Sequence, residues 1–261
     1  MTQSLHLAAQ TGFSSAAELY QSVRPSYPPQ VIDWLRQQLQ LSGRSQVIDL
    51  GAGTGKFLPY LQAITEHILA IEPIEAMLAQ LHQAYPTVKT LQACSDALPV
   101  SPHFADAVIC AQAFHWFANI DSLAQMHRVL KPSGHLGLIW NQRDTQVNWV
   151  KALDDLIQPL EGDTPRYHTQ QWQNVFQQQS LFQLENVQTF SQQHIGTVEQ
   201  VVSKRLLSTS FIAALPKAQQ QQQLKIQFEQ LVFAYTQKQP QDEIAFPYIT
   251  IAYDFKKINQ K

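Results

Sequence analysis

Apolar positions in this chain fall into short unbroken runs, separated by stretches where they recur every three or four residues. The runs at 46–50, 68–72, 88–92, 105–111 and 136–141 have the length and β-branched content of strands covered on both faces. Between them, 55–65, 74–85 and 120–130 carry helical spacing. Strands alternating with helices predict a mostly parallel sheet with helices on both faces, joined by right-handed crossovers. In such a doubly wound α/β sheet, ligands bind beyond the carboxyl ends of the strands, where the strand order reverses. Lys131-Pro132-Ser133-Gly134 reads as a helix stop, because proline cannot continue the helix and glycine can supply a left-handed cap. After Asp144 the pattern changes: 147–160, 170–179, 198–207 and 216–238 read as helices, with one strand near 184–190 and a final strand at 244–255. The expected layout is one domain over 1–261, with a core at 28–144, a helical cover at 147–240 that lends one strand to the sheet, and seven strands in all.

Composition narrows the partners. The chain has 261 residues, of which 44% are hydrophobic, enough to bury a core of this class. A formal net charge of -2 supplies no general attraction for nucleic acid or an anionic membrane, so neither is an expected partner. Cys94 and Cys110 lie in apolar, strand-like contexts and read as small hydrophobes, not as a ligand pair; no metal is expected. The first residues lack a basic segment followed by an apolar run, and no stretch reaches the ~18 apolar residues of a membrane span, so the expected location is cytoplasmic. The glutamine run 219–223 continues into Leu224, Phe228, Leu231 and Val232 at helical spacing, which makes it part of a solvated helix.

The chemistry concentrates in Val47-Ile48-Asp49-Leu50-Gly51-Ala52-Gly53-Thr54-Gly55-Lys56. A buried strand ending in three alternating glycines lets backbone approach a ligand closely, since glycine has no Cβ and tolerates φ > 0. A dinucleotide fingerprint needs a glycine at the sixth position, which is Lys56 counted from Gly51 and Leu58 counted from Gly53. A P-loop needs four residues before its Gly-Lys pair and a following Ser or Thr; here there are three, and Phe57 follows. A strand–helix turn that merely packs tightly is the plain alternative. The remaining pattern, Asp-x-Gly-x-Gly-x-Gly, resembles motif I of the class I S-adenosylmethionine-dependent methyltransferases, in which the acidic residue and the glycine backbone hold the amino-acid end of the cofactor.

That resemblance extends over 13–144 and implies a Rossmann-like sheet. It carries specific expectations. Asp49, Gly51, Ala52 and Gly53 would hold the methionine end of S-adenosylmethionine. Glu72, 19 positions beyond Gly53 at the end of the second strand, can accept both ribose hydroxyls, with Pro73 and Met77 offering an apolar edge to adenine. Asp96 and Ala97 match the family's Asp-Ala pair that reads the adenine edge; helix capping is the other reading of Asp96. Gln112-Ala113-Phe114-His115-Trp116-Phe117 resembles the loop after the fourth strand of small-molecule class I enzymes (the methyltransferase type 11 and trans-aconitate methyltransferase-like group). There Gln112 and Ala113 would lie under the methionine moiety, Trp116 would position the acceptor and His115 would be the general base if a proton must leave. Near the start, Phe13-x6-Tyr20-x3-Arg24-Pro25-x-Tyr27-Pro28 matches the same group, so that Tyr20 and Arg24 would bind the cofactor carboxylate. Trp140, Arg143, Arg205 and Tyr248 are candidate acceptor contacts.

The function expected is methyl transfer to an oxygen, nitrogen or carbon of a small molecule by in-line displacement. A non-catalytic S-adenosylmethionine-binding or interaction protein of the same fold is the alternative, and an NAD-dependent oxidoreductase is disfavoured by the glycine spacing. No Asn/Asp-Pro-Pro-Tyr tetrapeptide of nucleic-acid methylases occurs.

Overall fold

The computed structural model describes residues 23–177, 179–215 and 218–259. Tyr20, assigned above to the cofactor, and Phe13 of the same motif lie outside the described residues. Seven strands, β1 (Val47–Leu50), β2 (Ile68–Ile71), β3 (Lys89–Leu91), β4 (Ala105–Ala111), β5 (Leu130–Arg143), β6 (Phe182–Thr197) and β7 (Glu243–Lys257), form one sheet in the order β3-β2-β1-β4-β5-β7-β6. The first five are parallel, and β7 runs antiparallel to both β5 and β6. The order grows from β1 toward β3 on one side and from β4 toward β7 on the other, so the reversal falls between β1 and β4. All four residues of β1 are buried, as a central parallel strand requires.

The helices that flank the core are α1 (Gln30–Gln37), α2 (Leu58–Gln62), α3 (Glu75–Ala84) and α4 (Ile120–Val129). On one face α1 buries Val31, Trp34 and Leu35, at i, i+3 and i+4, against Ile109 and Ile139 of the sheet. On the other face α4 buries Leu123 and Met126 with Ile48, Leu50 and Val108. The Asn119 side chain caps α4 by accepting from the Ser122 N–H at 2.8 Å. The cover consists of α5 (Asn148–Ile157), a π-helical turn at Glu199–Lys204 that runs into α6 (Arg205–Leu207), the short α7 (Ser210–Ala213) and α8 (Ala218–Thr236). Val150, Leu153 and Ile157 of α5 pack with Val202, Leu206, Phe228 and Phe246 in a third core of their own.

Two local expectations are corrected. Residues 131–134 do not end a helix: β5 already pairs at Leu130 with Ala105, bulges outward and rejoins the ladder where His135 meets Ala107. Gly134 is not left-handed; it is glycine because a Cβ there would sit 2.9 Å from Leu130 Cδ2 and 3.0 Å from the Lys131 carbonyl. The segment read as a helix at 170–179 is a 3₁₀ stretch, Gln171–Phe176, whose Trp172 plugs the core. Cys110 is buried as expected, whereas Cys94 is only partly covered. Among the described residues no helix is long and apolar enough to cross a membrane.

Candidate active site

The loop after β1 turns on Gly51, Gly53 and Gly55, all left-handed at φ 72°, 58° and 84°. Gly51 has a second reason to lack a side chain: a Cβ would lie 2.6 Å from that of Ala113, so the loops after β1 and β4 touch backbone to side chain. Gly51 and Ala52 N–H groups donate to the Ile71 carbonyl at 2.8 and 3.1 Å, which ties the loop to the end of β2. Glu72 follows directly. Its Oε2 accepts from the Gly53 N–H at 2.9 Å and its Oε1 from the Ile74 N–H at 3.0 Å, so one carboxylate braces two loops.

Asp49 and Glu72 line the same cleft at the ends of β1 and β4. Burial raises the Asp49 carboxyl to about 7, with the Glu72 charge adding to the effect. Burial also raises Glu72 to about 7, against the two backbone donors that lower it. Neither Asp49 oxygen accepts a hydrogen bond from a described residue, an arrangement that protein interiors tolerate where a ligand supplies the partner. Ala52, Pro73, Met77, Gln112 and Ala113 line this cleft together with Trp116 and Phe117 of the aromatic loop, and so do Tyr27, Thr54, Lys56 and Phe57, to which the sequence reading gave no role. The cleft continues toward the end of β3 through a pocket formed by Cys94, Ser95, Asp96 and Asn119, with Gly51, Pro73, Trp116 and Phe117 common to both. Ala97 is not part of that wall; its N–H turns back to the Cys94 carbonyl at 3.3 Å.

A second pocket shares only Gln112 and Trp116 with the cleft. Gln112 is a left-handed non-glycine residue at φ 59°, a conformation that costs about 1–2 kcal/mol, and its side chain donates to the Asn141 carbonyl at 3.0 Å. The other lining residues are Arg24, His115, Asn141, Gln142, Arg143, Arg166, Tyr167, Arg205 and Ser210. Arg143 and Arg205, the two arginines read as candidate acceptor contacts, are brought together in this pocket. Arg24, read as a cofactor contact, is corrected: it lines this pocket, not the cleft, and donates to the Ser208 carbonyl at 2.9 Å. Arg143 Nε and Nη2 both bond Asp154, while Arg166 lies 3.6 Å from Glu161 and 5.3 Å from the centroid of the Phe211 ring. Burial, with Arg143 next, lowers the Arg166 guanidinium to about 10, which leaves it charged at neutral pH.

Two aromatic assignments are corrected. Trp140 is fully buried within β5 among Tyr167, Trp172 and Tyr253, and Tyr248 is buried in the cover core with Phe246; neither lines either pocket. Trp140 acts through its neighbour, since its indole N–H donates to His115 Nδ1 at 3.0 Å. That bond uses the Nδ1 lone pair, so the neutral ring carries its proton on Nε2. Burial lowers His115 to about 3, with Arg166, Arg24 and His168 adding to the effect in that order. The expectation of His115 as general base is therefore corrected: the ring is a fixed hydrogen-bond donor with no free basic nitrogen.

Known proteins agree with this frame. Residues 48–138 match the family model described as a methyltransferase domain. Over 239 residues the chain is 31% identical to the "Uncharacterized methyltransferase-like C25B8.10" of Schizosaccharomyces pombe, covering 91% of this chain and 92% of that one. It is 37% identical over 185 residues to the "Uncharacterized methyltransferase Rv3342" of Mycobacterium tuberculosis, covering 66% and 74% respectively. A solved structure of a proposed type II methyltransferase from Anaeromyxobacter dehalogenans shares the fold, with a TM-score of 0.64 at 20% identity over 90% of this chain and 97% of that one. Identity at this level along nearly the whole of both sequences, on a sheet of this order, means that the chain belongs to the class I S-adenosylmethionine-dependent methyltransferases.

Proposed function

We propose that this enzyme transfers the methyl group of S-adenosylmethionine to a small molecule held in the Arg-lined pocket, across the wall formed by Gln112 and Trp116. One observation carries this reading: a cleft with two buried carboxyls and a polar pocket abut at the end of β4 and share just those two residues. Asp49, with no donor to either oxygen among the described residues, suits the α-ammonium of the cofactor, and the left-handed glycines leave its methionine end room against the backbone. Glu72, braced by Gly53 and Ile74, keeps lone pairs for the ribose hydroxyls; Pro73, Met77 and Asp96 suit the adenine. When bound, S-adenosylmethionine supplies an electrophilic methyl on a sulfonium that is already a good leaving group. What remains for this chain is alignment and exclusion of water, an effect worth up to ~7–11 kcal/mol.

Calorimetry with S-adenosylhomocysteine and, separately, NAD tests the reading. The expected result is one site for S-adenosylhomocysteine, none for NAD, and release of S-adenosylhomocysteine when S-adenosylmethionine and a metabolite extract are added. Binding without turnover on any extract would favour a non-catalytic cofactor-binding protein.

A further inference from the structure

We propose that Lys256 is an acyl-accepting lysine: its amine takes an acyl group from a thioester or an acyl phosphate, with His135 as the base that receives the proton and Asp254 as the residue that positions His135. The three side chains form a continuous line across the junction of β5 and β7. Asp254 and Lys256 are two positions apart on β7 and share a face of the sheet, and His135 of β5 stands directly opposite Lys256 in the ladder. His135 Nδ1 lies 2.7 Å from Asp254 Oδ1, and Nε2 of the same ring lies 2.9 Å from Lys256 Nζ. The carboxylate and the imidazole are buried, at 3% and 5% exposure, while the lysine is partly exposed, so the line runs from the interior to the surface. His135 pairs with Ala107 near the start of β4, whereas the two pockets meet at Gln112, just past the end of that strand. The site therefore lies toward the opposite end of the sheet, separate from the methyl-transfer chambers.

The partners fix where the protons sit. A carboxylate only accepts, so the Nδ1 proton points at Asp254. Two N–H donors cannot bond each other, so a single proton lies between Nε2 and Nζ, and the imidazole can take it from the amine. Other lysines are held differently. Lys131, Lys151 and Lys225 meet carboxylates, which favour the charged ammonium, and Lys257 is buried with its Nζ donating to the Leu130 carbonyl. An imidazole backed by a buried carboxylate differs from both, because it accepts a proton as the nucleophile attacks and the carboxylate stabilises the imidazolium that forms. The step balances as follows. Once the ammonium has given one proton to solvent, the Nζ lone pair attacks the acyl carbon while an N–H stays directed at Nε2. The C–N bond forms, the bond from the acyl carbon to sulfur or to the phosphate oxygen breaks, and its electron pair leaves with that atom. The surplus proton on nitrogen passes to His135 Nε2 and on to solvent, which leaves a neutral amide on Lys256.

The experiment incubates the full chain at mildly alkaline pH with acetyl-coenzyme A in one arm and acetyl phosphate in the other, and follows acetylation of each lysine over time by peptide mass spectrometry. Lys89 and Lys238, both exposed, serve as references in the same sample. Lys256 should react at least about tenfold faster than either reference in one arm or both, and the arm in which it does so identifies the donor as thioester or acyl phosphate. His135→Asn should bring Lys256 down to the reference rate and leave Lys89 and Lys238 unchanged, with a cooperative melt to show that the variant is folded. Asp254→Asn, which keeps the imidazole and removes the anion behind it, should lower the ratio of the Lys256 rate to the reference rates by a smaller factor. A wild-type protein in which Lys256 reacts no faster than Lys89 and Lys238 in both arms overturns the proposal, and that comparison needs no variant to fold. An undiminished Lys256 rate in folded His135→Asn overturns it as well.

Discussion

The two chambers that meet at Trp116 are built on opposite charges and from opposite ranges of sequence. The carboxyl-lined cleft takes Asp49 and Glu72 from adjacent strands 23 positions apart, fixed by backbone hydrogen bonds of the sheet and its loops. The Arg-lined pocket takes its four arginines from positions 24, 143, 166 and 205, each held by a different contact: a carbonyl, an aspartate, a glutamate with an aromatic ring, and the Thr209 hydroxyl. Chemistry shared by a family can be written in one strand–loop–strand unit. Specificity for one acceptor is gathered from wherever the cover reaches over the sheet.

The sharpest way to break the pairing is at Asp49. Asp49→Ala should weaken S-adenosylhomocysteine binding about 10²-fold, at the upper end of the ~1.5–3 kcal/mol expected for charge-assisted hydrogen bonds, and should leave the acceptor pocket untouched. Calorimetry on the folded variant decides it; a change under threefold would remove Asp49 from the ammonium site. Glu72→Gln keeps an acceptor for one of its two backbone donors, so roughly a tenfold loss is expected, together with faster hydrogen exchange at Gly53 or Ile74.

pH separates the chambers more gently. Asp49 and Glu72 each have to give up a proton at about 7 before they can serve a cationic or hydroxyl-bearing ligand. A carboxyl of that kind is about one-tenth ionised at pH 6, so affinity for S-adenosylhomocysteine should rise with pH and level off above about 8, by roughly tenfold for each carboxyl that must ionise. Asp49→Asn should remove its share of that slope. An equal slope in the variant would assign the proton elsewhere. The smallest effect is expected at Trp140→Phe, which keeps the ring packing and deletes the donor to His115. We expect about 1–2 kcal/mol of lost stability by denaturant titration, with cofactor affinity unchanged.

What could be read in the sequence follows the same division. The glycine loop, Glu72, Asp96 and the 112–117 loop all sit at strand ends marked by short apolar runs, so position along the chain was enough to place them. Lys56 and Phe57, at and just after the end of the glycine motif, line the cleft, yet nothing in residue type distinguished them from packing residues. Arg166, in Thr164-Pro165-Arg166-Tyr167-His168, belongs to no motif and reaches the pocket only through the tertiary fold. Trp140 and Tyr248 mislead for a physical reason. A large aromatic near a strand end serves a pocket or a core equally well, and only the direction of its side chain, which alternates with every residue, tells the two apart. Arg24 was placed on the wrong side of the wall because its helix-to-loop path depends on the cover at Ser208, 184 positions away.

The position of β7 also sets an order of assembly. Because it lies between β5 and β6 in the sheet, β6 at 182–197 has no neighbour to pair with until 243–257 has been made and inserted. The parallel strands pair across at most 60 positions, whereas β7 reaches β5 across 105–121, so the cleft half can condense first and the arginine pocket waits for β7 to insert. In a refolding time course, competence for the cofactor should therefore precede competence for the acceptor, and the protected amides of β6 and β7 should be the last to form.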